Sequence, residues 1–419
     1  MSDILTVYLR ERSVGCLWLD EGRRFAYQYD ESWLADPQAV PLSIALPLRP
    51  EVYEDDTARP FFANLLPESE LRKVIARRLG LSEGNDFALL EAIGGECAGA
   101  VSLLPQGSLP STEGEYQPLS ESELNALVQE LPKRPMLAGE SGVRLSLAGV
   151  QNKLPVFYDE DEDTVYLPRG SAASGHILKP PIAHFPHTVE NETFCMQLAQ
   201  RMGLPVPTVQ LLQKAVPLYL VSRYDREITP QRKVYRLHQE DFCQALGIAP
   251  DMKYEKEGGP SLQACFGLVR RVSLTPIIDI KAMLHWVVFN YLLGNADAHG
   301  KNISLLFSER GPVLAPFYDI MSTAVYPELT DRLAMKIGGE DRPDWVIERR
   351  WQQFAKETGI GYKLVRQTLL EMSDRIVDEA DTQQQAFTRQ HGTCEIIDQI
   401  IAIIEQRARK VTRALAAAE

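Results

Sequence analysis

Long apolar runs, paired cysteines and a surplus of basic charge are all missing from this chain of 419 residues. No stretch approaches the length of a membrane span, so no membrane partner is expected. Met1-Ser2-Asp3 leads straight into a β-prone run, without the basic start and apolar core of a signal peptide, and the expected location is cytoplasmic. Asn191-Glu192-Thr193 and Asn302-Ile303-Ser304 match the glycosylation pattern, which means nothing without secretion. The six cysteines, at 16, 97, 195, 243, 265 and 394, form no C-x-x-C pair, so neither a zinc site nor a disulfide framework is expected. With 57 acidic against 44 basic side chains, the net charge of −13 argues against a dedicated nucleic-acid binder. No internal repeat stands out either. What remains, 45% hydrophobic and 24% charged, is ordinary globular composition with enough chain for two or three packed units.

The chain begins with short β-prone runs at 5–9, 14–19 and 25–29, a small meander. Phe61 to Leu79 and Phe87 to Ile93 read as helices, the second ending at Gly94-Gly95, where glycines suit a turn or a close backbone approach. Residues 104–118, rich in Pro, Ser and Gly, read as a linker. A short helix follows at Glu121 to Leu131, then a polar loop from Arg144 to Lys153, a hairpin of Leu154–Tyr158 with Thr164–Leu167, and a strand at His176–Lys179 that Pro180-Pro181 stops. Thr188 to Met202 reads as a helix with Thr188 as N-cap and Gly203 past its end. Val216–Val221 is a strand, and from His238 onward the chain turns mostly helical. In the last helix Ile396, Ile397, Ile400, Ile401, Ile403 and Ile404 form a broad core stripe.

The stretch from Asp279 to Asp319 carries the chemistry. Ile280, Met283, Leu284, Val287, Val288, Tyr291 and Leu292 recur three and four apart, which predicts a buried helix that Gly294 ends. Ile303–Phe307 and Val313–Tyr318, joined by Ser308-Glu309-Arg310-Gly311, predict a hairpin that delivers Asp319. Asp297, Asn302 and Asp319 would then surround one point. An acid, an Asn five positions on and a second Asp beyond a hairpin is the order protein kinases use for the hydroxyl's base and two oxygen ligands of magnesium. Strands first and helices afterwards give an α+β, two-lobed protein-kinase-like fold with a mostly helical C-terminal lobe. Lys179 would supply a point charge for phosphates, with Glu192 from the following helix to orient it, and the loop of Ser146 to Lys153 could cover the phosphates although it holds only Gly149. A metal hydrolase using His184 and His187 is disfavoured, because Pro181 and Pro186 prevent the helix that their spacing needs.

Taken in order, Phe61 to Glu68, Gly94 to Val101, Ser146 to Lys153, Ile177 to Lys179, Arg223-Tyr224-Asp225-Arg226, Gln239 to Asp241, Lys253-Tyr254-Glu255 with Gly258-Gly259-Pro260, Asp297 to Asn302 and Pro316 to Asp319 resemble the HipA family of serine/threonine kinases. These are toxins of bacterial toxin-antitoxin pairs. The resemblance implies an extra N-terminal α/β subdomain at 1–105, a kinase-like N-lobe at 106–237 and a C-lobe at 238–419. It implies Asp297 as catalytic base, Asn302 and Asp319 as magnesium ligands, and ATP held by Ala148, Gly149, Val150, Gln151, Asn152, Lys153, Lys179, the backbone of Ser222, Arg223 and Tyr224, and by His299, Gly300, Lys301, Asn302, Tyr318 and Asp319. Ser146 matches the family's inactivating autophosphorylation serine. The implied partners are a HipB-like helix-turn-helix antitoxin, operator DNA mainly through that antitoxin, and a protein substrate such as glutamyl-tRNA synthetase. A co-repressor with secondary or lost catalysis is the alternative. Ser222 stands where many relatives carry Glu, and Asn152 where an acid is common.

Overall fold

The computed structural model describes residues 4–111, 113–139 and 146–416. Met1 to Asp3 and the start of the polar loop, Arg144 and Leu145, lie outside the described residues. The chain divides into two compact units, each discontinuous in sequence: Met1–Pro180 with Leu212–Asp251 and Leu306–Ser308, and Pro181–Leu211 with Met252–Leu305 and Glu309–Glu419.

In the first unit, Phe25–Tyr29, Arg12–Leu19, Ile4–Leu9 and Val101–Pro105 form an antiparallel sheet in that order. Its inward side chains, Leu5, Val7, Val14, Leu17, Phe25 and Tyr27, are buried with Phe61 and Phe62, a term worth roughly 2 kcal/mol for each large side chain. Where one helix was expected over Phe61–Leu79, two form, Asp55–Ala63 and Ser69–Leu79. Asn64 ends the first by turning its amide onto the Pro60 carbonyl at 2.7 Å, and Pro67, lacking an N–H, sits in the connection. At Gly94 a Cβ would stand 2.5 Å from the Leu90 carbonyl oxygen, and Leu103 donates to the Gly94 carbonyl at 2.7 Å. Glycine permits that close pass of helix end and strand.

A second sheet runs in the order Gly114–Pro118, Thr164–Gly170, Leu154–Asp159, His176–Lys179, Pro217–Ser222, Val209–Gln213. The expected linker of 104–118 is thus partly strand: Gly114–Pro118 pairs antiparallel with Thr164–Gly170, and the Tyr116 and Phe157 rings lie 4.9 Å apart. An edge strand tolerates Gly and Pro because one of its sides needs no ladder partner.

In the second unit the helix Pro276–Leu293 packs among Leu262–Val272, Tyr362–His391 and Glu395–Ala416. It is long and apolar enough to cross a membrane by length and composition, which corrects the expectation that no stretch approaches that length, and 61% of it is buried inside the fold, as its all-round apolar pattern predicts. Ile396, Ile397, Ile400, Ile401 and Ile404 are buried on the last helix. The helix Thr188–Arg201 begins one residue earlier than expected, with His187 at the N-cap position in a left-handed conformation. The Thr188 hydroxyl is spent instead on the Ile182 N–H, at 3.0 Å. The second hairpin strand is Gly311–Leu314 and stops before Tyr318. Ala315 still donates to the Ser304 carbonyl at 2.9 Å, and Pro316 cannot continue the ladder.

Candidate active site

Gly294 ends the helix Pro276–Leu293 at φ +82°. From there the loop is closed by its own polar groups. Asn295, buried, donates its amide to Asn290 Oδ1 at 2.7 Å and accepts the Asp297 N–H at 3.0 Å. His299 N–H and the Asn302 amide both donate to the Asp297 carbonyl, at 2.8 and 3.0 Å. Thr323 receives the Ala296 N–H at 2.8 Å, and Ala334 donates to the Ala296 carbonyl at 2.9 Å. With its backbone so fixed, Asp297 presents a partly exposed carboxylate whose Oδ1 accepts the Tyr254 hydroxyl at 2.6 Å.

His299 is buried, and Gly300 to Asn302 make one tight turn. The Tyr318 hydroxyl donates to the Lys301 carbonyl at 2.6 Å and lies 2.8 Å from Ser304 Oγ. The preceding Phe317 stacks on Trp286 with ring centroids 5.6 Å apart. These bonds bring Tyr318 and Asp319 back to the turn that carries Asn302. Asp319 itself sits at φ +58°, a left-handed backbone that costs a non-glycine residue about 1–2 kcal/mol and tends to mark working sites. The second unit therefore gathers Asp297, His299, Gly300, Lys301, Asn302, Tyr318 and Asp319. The Asn302 amide nitrogen is engaged with the Asp297 carbonyl, which leaves its Oδ1, with the Asp319 carboxylate, as hard oxygen donors of the kind magnesium takes.

The remaining expected residues, Glu192 apart, lie in the first unit. Ser146 is fully buried: its N–H donates to the Glu96 carbonyl at 2.9 Å and its hydroxyl to the Leu65 carbonyl at 2.7 Å. Glu68 N–H reaches the Gly149 carbonyl at 3.2 Å. Gly149 has φ +111°, and a Cβ there would meet Lys153 Nζ at 2.7 Å; that ammonium caps the Ala148 carbonyl at 2.6 Å. Gln151 donates to the Pro180 carbonyl at 3.3 Å, Val150 is exposed, and Asn152 Oδ1 is buried with no partner among the described residues. Lys179 is no solvated edge lysine. Its strand lies inside the sheet, its side chain is buried, and its Nζ stands 5.3 Å from the Tyr219 ring. Glu192 is buried on the helix Thr188–Arg201.

Ser222 ends its strand opposite His176. Arg223 is spent on structure: its N–H bonds the Gly175 carbonyl at 2.9 Å and its guanidinium grips Asp225 at 2.7 Å, with Ser174 at 2.9 Å. Arg226 bonds Glu96 at 2.9 Å and Asp225 at 2.8 Å. Burial opposes the charged form of Glu96, but the guanidiniums of Arg226, Arg223 and Arg236 outweigh it and hold the carboxyl below its usual range. Asp225 is lowered further for the same balance of reasons. Sequence reasoning gave Glu96, Asp225, Arg226 and Tyr254 no role. Their signals were the alternating charges of Arg223 to Arg226 and the Lys253-Tyr254-Glu255 triplet before Gly258-Gly259-Pro260.

The HipA N-terminal domain profile matches residues 5–104, and the HipA-like C-terminal domain profile matches 145–383. The serine/threonine-protein kinase toxin HipA of Shewanella oneidensis is 33% identical over 389 residues, 89% of this chain and 87% of that one. A kinase candidate of Sinorhizobium fredii, Y4mE, is 45% identical over 377 residues, 88% of this chain and 89% of that one. The solved complex of Shewanella oneidensis HipA, HipB and operator DNA matches with TM-score 0.84 at 30% identity, over 98% and 97% of the two chains. The α+β, kinase-like architecture expected from the order of strands and helices is that of the HipA structure. Both family domains are present in order over most of its length, and the chain belongs to the HipA family of kinase toxins.

Proposed function

We propose that this protein is an Mg-ATP-dependent serine/threonine protein kinase that acts as the toxin of a toxin-antitoxin pair. One observation carries the reading: Asp297 is held by backbone bonds from His299 and the Asn302 amide, with its carboxylate left partly exposed. A backbone fixed in this way delivers the base to one place, with no loop movement needed for it to meet a hydroxyl. In the proposed roles Asp297 takes the acceptor's proton, while Asn302 and Asp319 hold the metal. Bound Mg²⁺ would neutralise phosphate charge. Lys179 would place a buried cation on the phosphates, the Ala148 to Lys153 segment would cover them, and His299 to Lys301 and Tyr318 would line the site. Because the Arg223 N–H and guanidinium are engaged elsewhere, adenine recognition falls to the backbone of Ser222 and Tyr224.

Ser146 is the proposed autophosphorylation site. Its hydroxyl is buried against the Leu65 carbonyl, so a phosphate of nearly two negative charges has no place there and the segment would have to leave. The proposed substrate is a translation component, by family analogy an aminoacyl-tRNA synthetase such as glutamyl-tRNA synthetase, in the cytoplasm. The relative solved with HipB and operator DNA supports a helix-turn-helix antitoxin and, through it, operator binding as a co-repressor. The three-part division at 105/106 and 237/238 belongs to this proposal.

The test is intact-mass measurement before and after Mg-ATP. The wild type is expected to gain phosphate and Asp297→Asn to gain none while staying folded. Retained transfer in Asp297→Asn overturns the base assignment. Phosphate uptake in Ser146→Ala equal to the wild type overturns the modification site.

A further inference from the structure

Tyr254 is the one side chain that touches the Asp297 carboxylate among the described residues, and the loop around it is built to hold it there. Its hydroxyl donates to Oδ1 at 2.6 Å, and its ring stands edge-on to His299 with centroids 5.3 Å apart. The backbone of this loop folds back on the tyrosine: Glu257 and Gly259 both donate to the Tyr254 carbonyl, each at 2.9 Å. Gly259 passes so near that a Cβ would lie 2.2 Å from the Met252 carbonyl oxygen and 2.8 Å from that of Tyr254. Gly258 takes φ +99°, a conformation that favours glycine. Next to the tyrosine, Glu255 is clamped twice. Its N–H donates to the Ala334 carbonyl at 3.1 Å, and its Oε2 accepts the Lys336 N–H at 2.6 Å. Ala334 in turn donates to the Ala296 carbonyl, one residue from Asp297. Phenol and carboxylate are thus fixed to the same short ladder of backbone bonds.

From this we infer that Tyr254 is a positioning residue for the proposed base, an inference that rests on the reading of Asp297 given above. A carboxylate can rotate, and a base that must meet one hydroxyl loses rate to that freedom. Donation to Oδ1 fixes the plane of the group and leaves Oδ2, which has no partner among the described residues, to accept the substrate hydroxyl. The closed backbone fixes the Tyr254 Cα beside the base, and the edge-on contact with His299 together with the hydroxyl bond to Oδ1 holds the ring there. The ammonium groups of Lys253 and Lys256, 5.5 and 5.7 Å from the ring centre, add a positive field behind the phenol that strengthens it as a donor.

Tyr254→Phe keeps the ring against His299 and removes only the donor. Single-turnover phosphate uptake by the full chain, followed by intact mass over a range of Mg-ATP concentrations, reads the limiting rate and the half-saturating ATP separately. The expected result is a limiting rate lower by about tenfold with half-saturating ATP unchanged, beside the modest fall in melting temperature that one lost bond brings. Tyr254→Phe with the wild-type limiting rate, with a loss confined to half-saturation, or with a faster rate overturns the positioning role. A purely structural tyrosine would lower the melting temperature and leave the limiting rate of the folded protein at the wild-type value. Asp297→Asn run alongside separates the two ideas. If it is inactive and Tyr254→Phe is unimpaired, only the tyrosine falls; if Asp297→Asn still transfers phosphate, or the wild type takes up none, the base assignment falls and the positioning role with it.

Discussion

The loop from Gly294 to Asn302 and the segment from Ser146 to Lys153 are held in opposite ways. The first is stitched by bonds between near neighbours: Asp297 to Asn295, His299 and Asn302 to Asp297, Asn295 to Asn290. The second is held from afar, with the Ser146 hydroxyl on a carbonyl 81 positions earlier and its N–H on the Glu96 carbonyl. A loop closed largely by its own polar groups, with Thr323 and Ala334 bracing Ala296, keeps one geometry, which suits a catalytic base. A segment pinned at its borders by a few distant bonds can be let go, which suits a switch.

That contrast can be broken at its strongest point first. Asp297→Asn removes a proton acceptor from a loop whose backbone bonds do not use the carboxylate. Phosphate transfer is expected to fall by about a thousandfold or more while melting temperature stays constant by calorimetry. Glu96→Ala is expected to do the reverse: it leaves the Asp225 carboxylate alone to balance the buried guanidiniums of Arg223 and Arg226, costs about 3 kcal/mol, and lowers the midpoint of denaturant unfolding. If Glu96→Ala is as stable as the wild type, the buried pairing of Glu96 with Arg223 and Arg226 does not stabilise the first unit.

Glu240 sharpens the comparison through pH. It is fully buried, accepting the Ile44 N–H at 2.9 Å and bonded to Ser43, and burial pushes its carboxyl up to about 8. The folded state binds this proton more tightly than the unfolded chain, so the stabilisation present below about 4.5 is lost as pH rises toward about 8. Between about pH 6 and 7.5 the first unit is expected to lose roughly 2 kcal/mol, at about 1.4 kcal/mol per unit. Glu240→Gln should flatten that slope in urea titrations. The smallest effect belongs to Ser146→Ala, which deletes one hydroxyl bond and is expected to cost about 1 kcal/mol, read as a modest fall in melting temperature.

The same contrast explains what the sequence disclosed. The helix Pro276–Leu293, its Gly294 stop and the hairpin were legible because periodicity, a glycine and a polar turn act over a few residues. The spacing of Asp297 and Asn302 is likewise local, and the Asn302 amide returns to the Asp297 carbonyl over that interval. Nothing local marks Glu96 as the counter-ion of Arg226, 130 positions away. Nor does it show that Tyr254 reaches Asp297, 43 positions on. The misplaced cap at Thr188 and the split of Phe61–Leu79 have a related cause: a side chain with two possible partners, Thr188 or Asn64, was assigned by propensity and decided by its surroundings.

The interleaving of the two units has a consequence for synthesis. Gln244 donates to the Phe61 carbonyl at 3.0 Å across 183 positions, and the Asn64 amide to the Ile248 carbonyl at 2.8 Å. A ribosome adding about 5–20 residues per second needs roughly ten to forty seconds to deliver those partners. For that interval the Phe61 and Phe62 helix waits, incomplete, on the nascent chain. Asp297 leaves the ribosome only afterwards, so the order of translation places all of the first unit except Leu306–Ser308 ahead of the residue proposed to make the protein toxic.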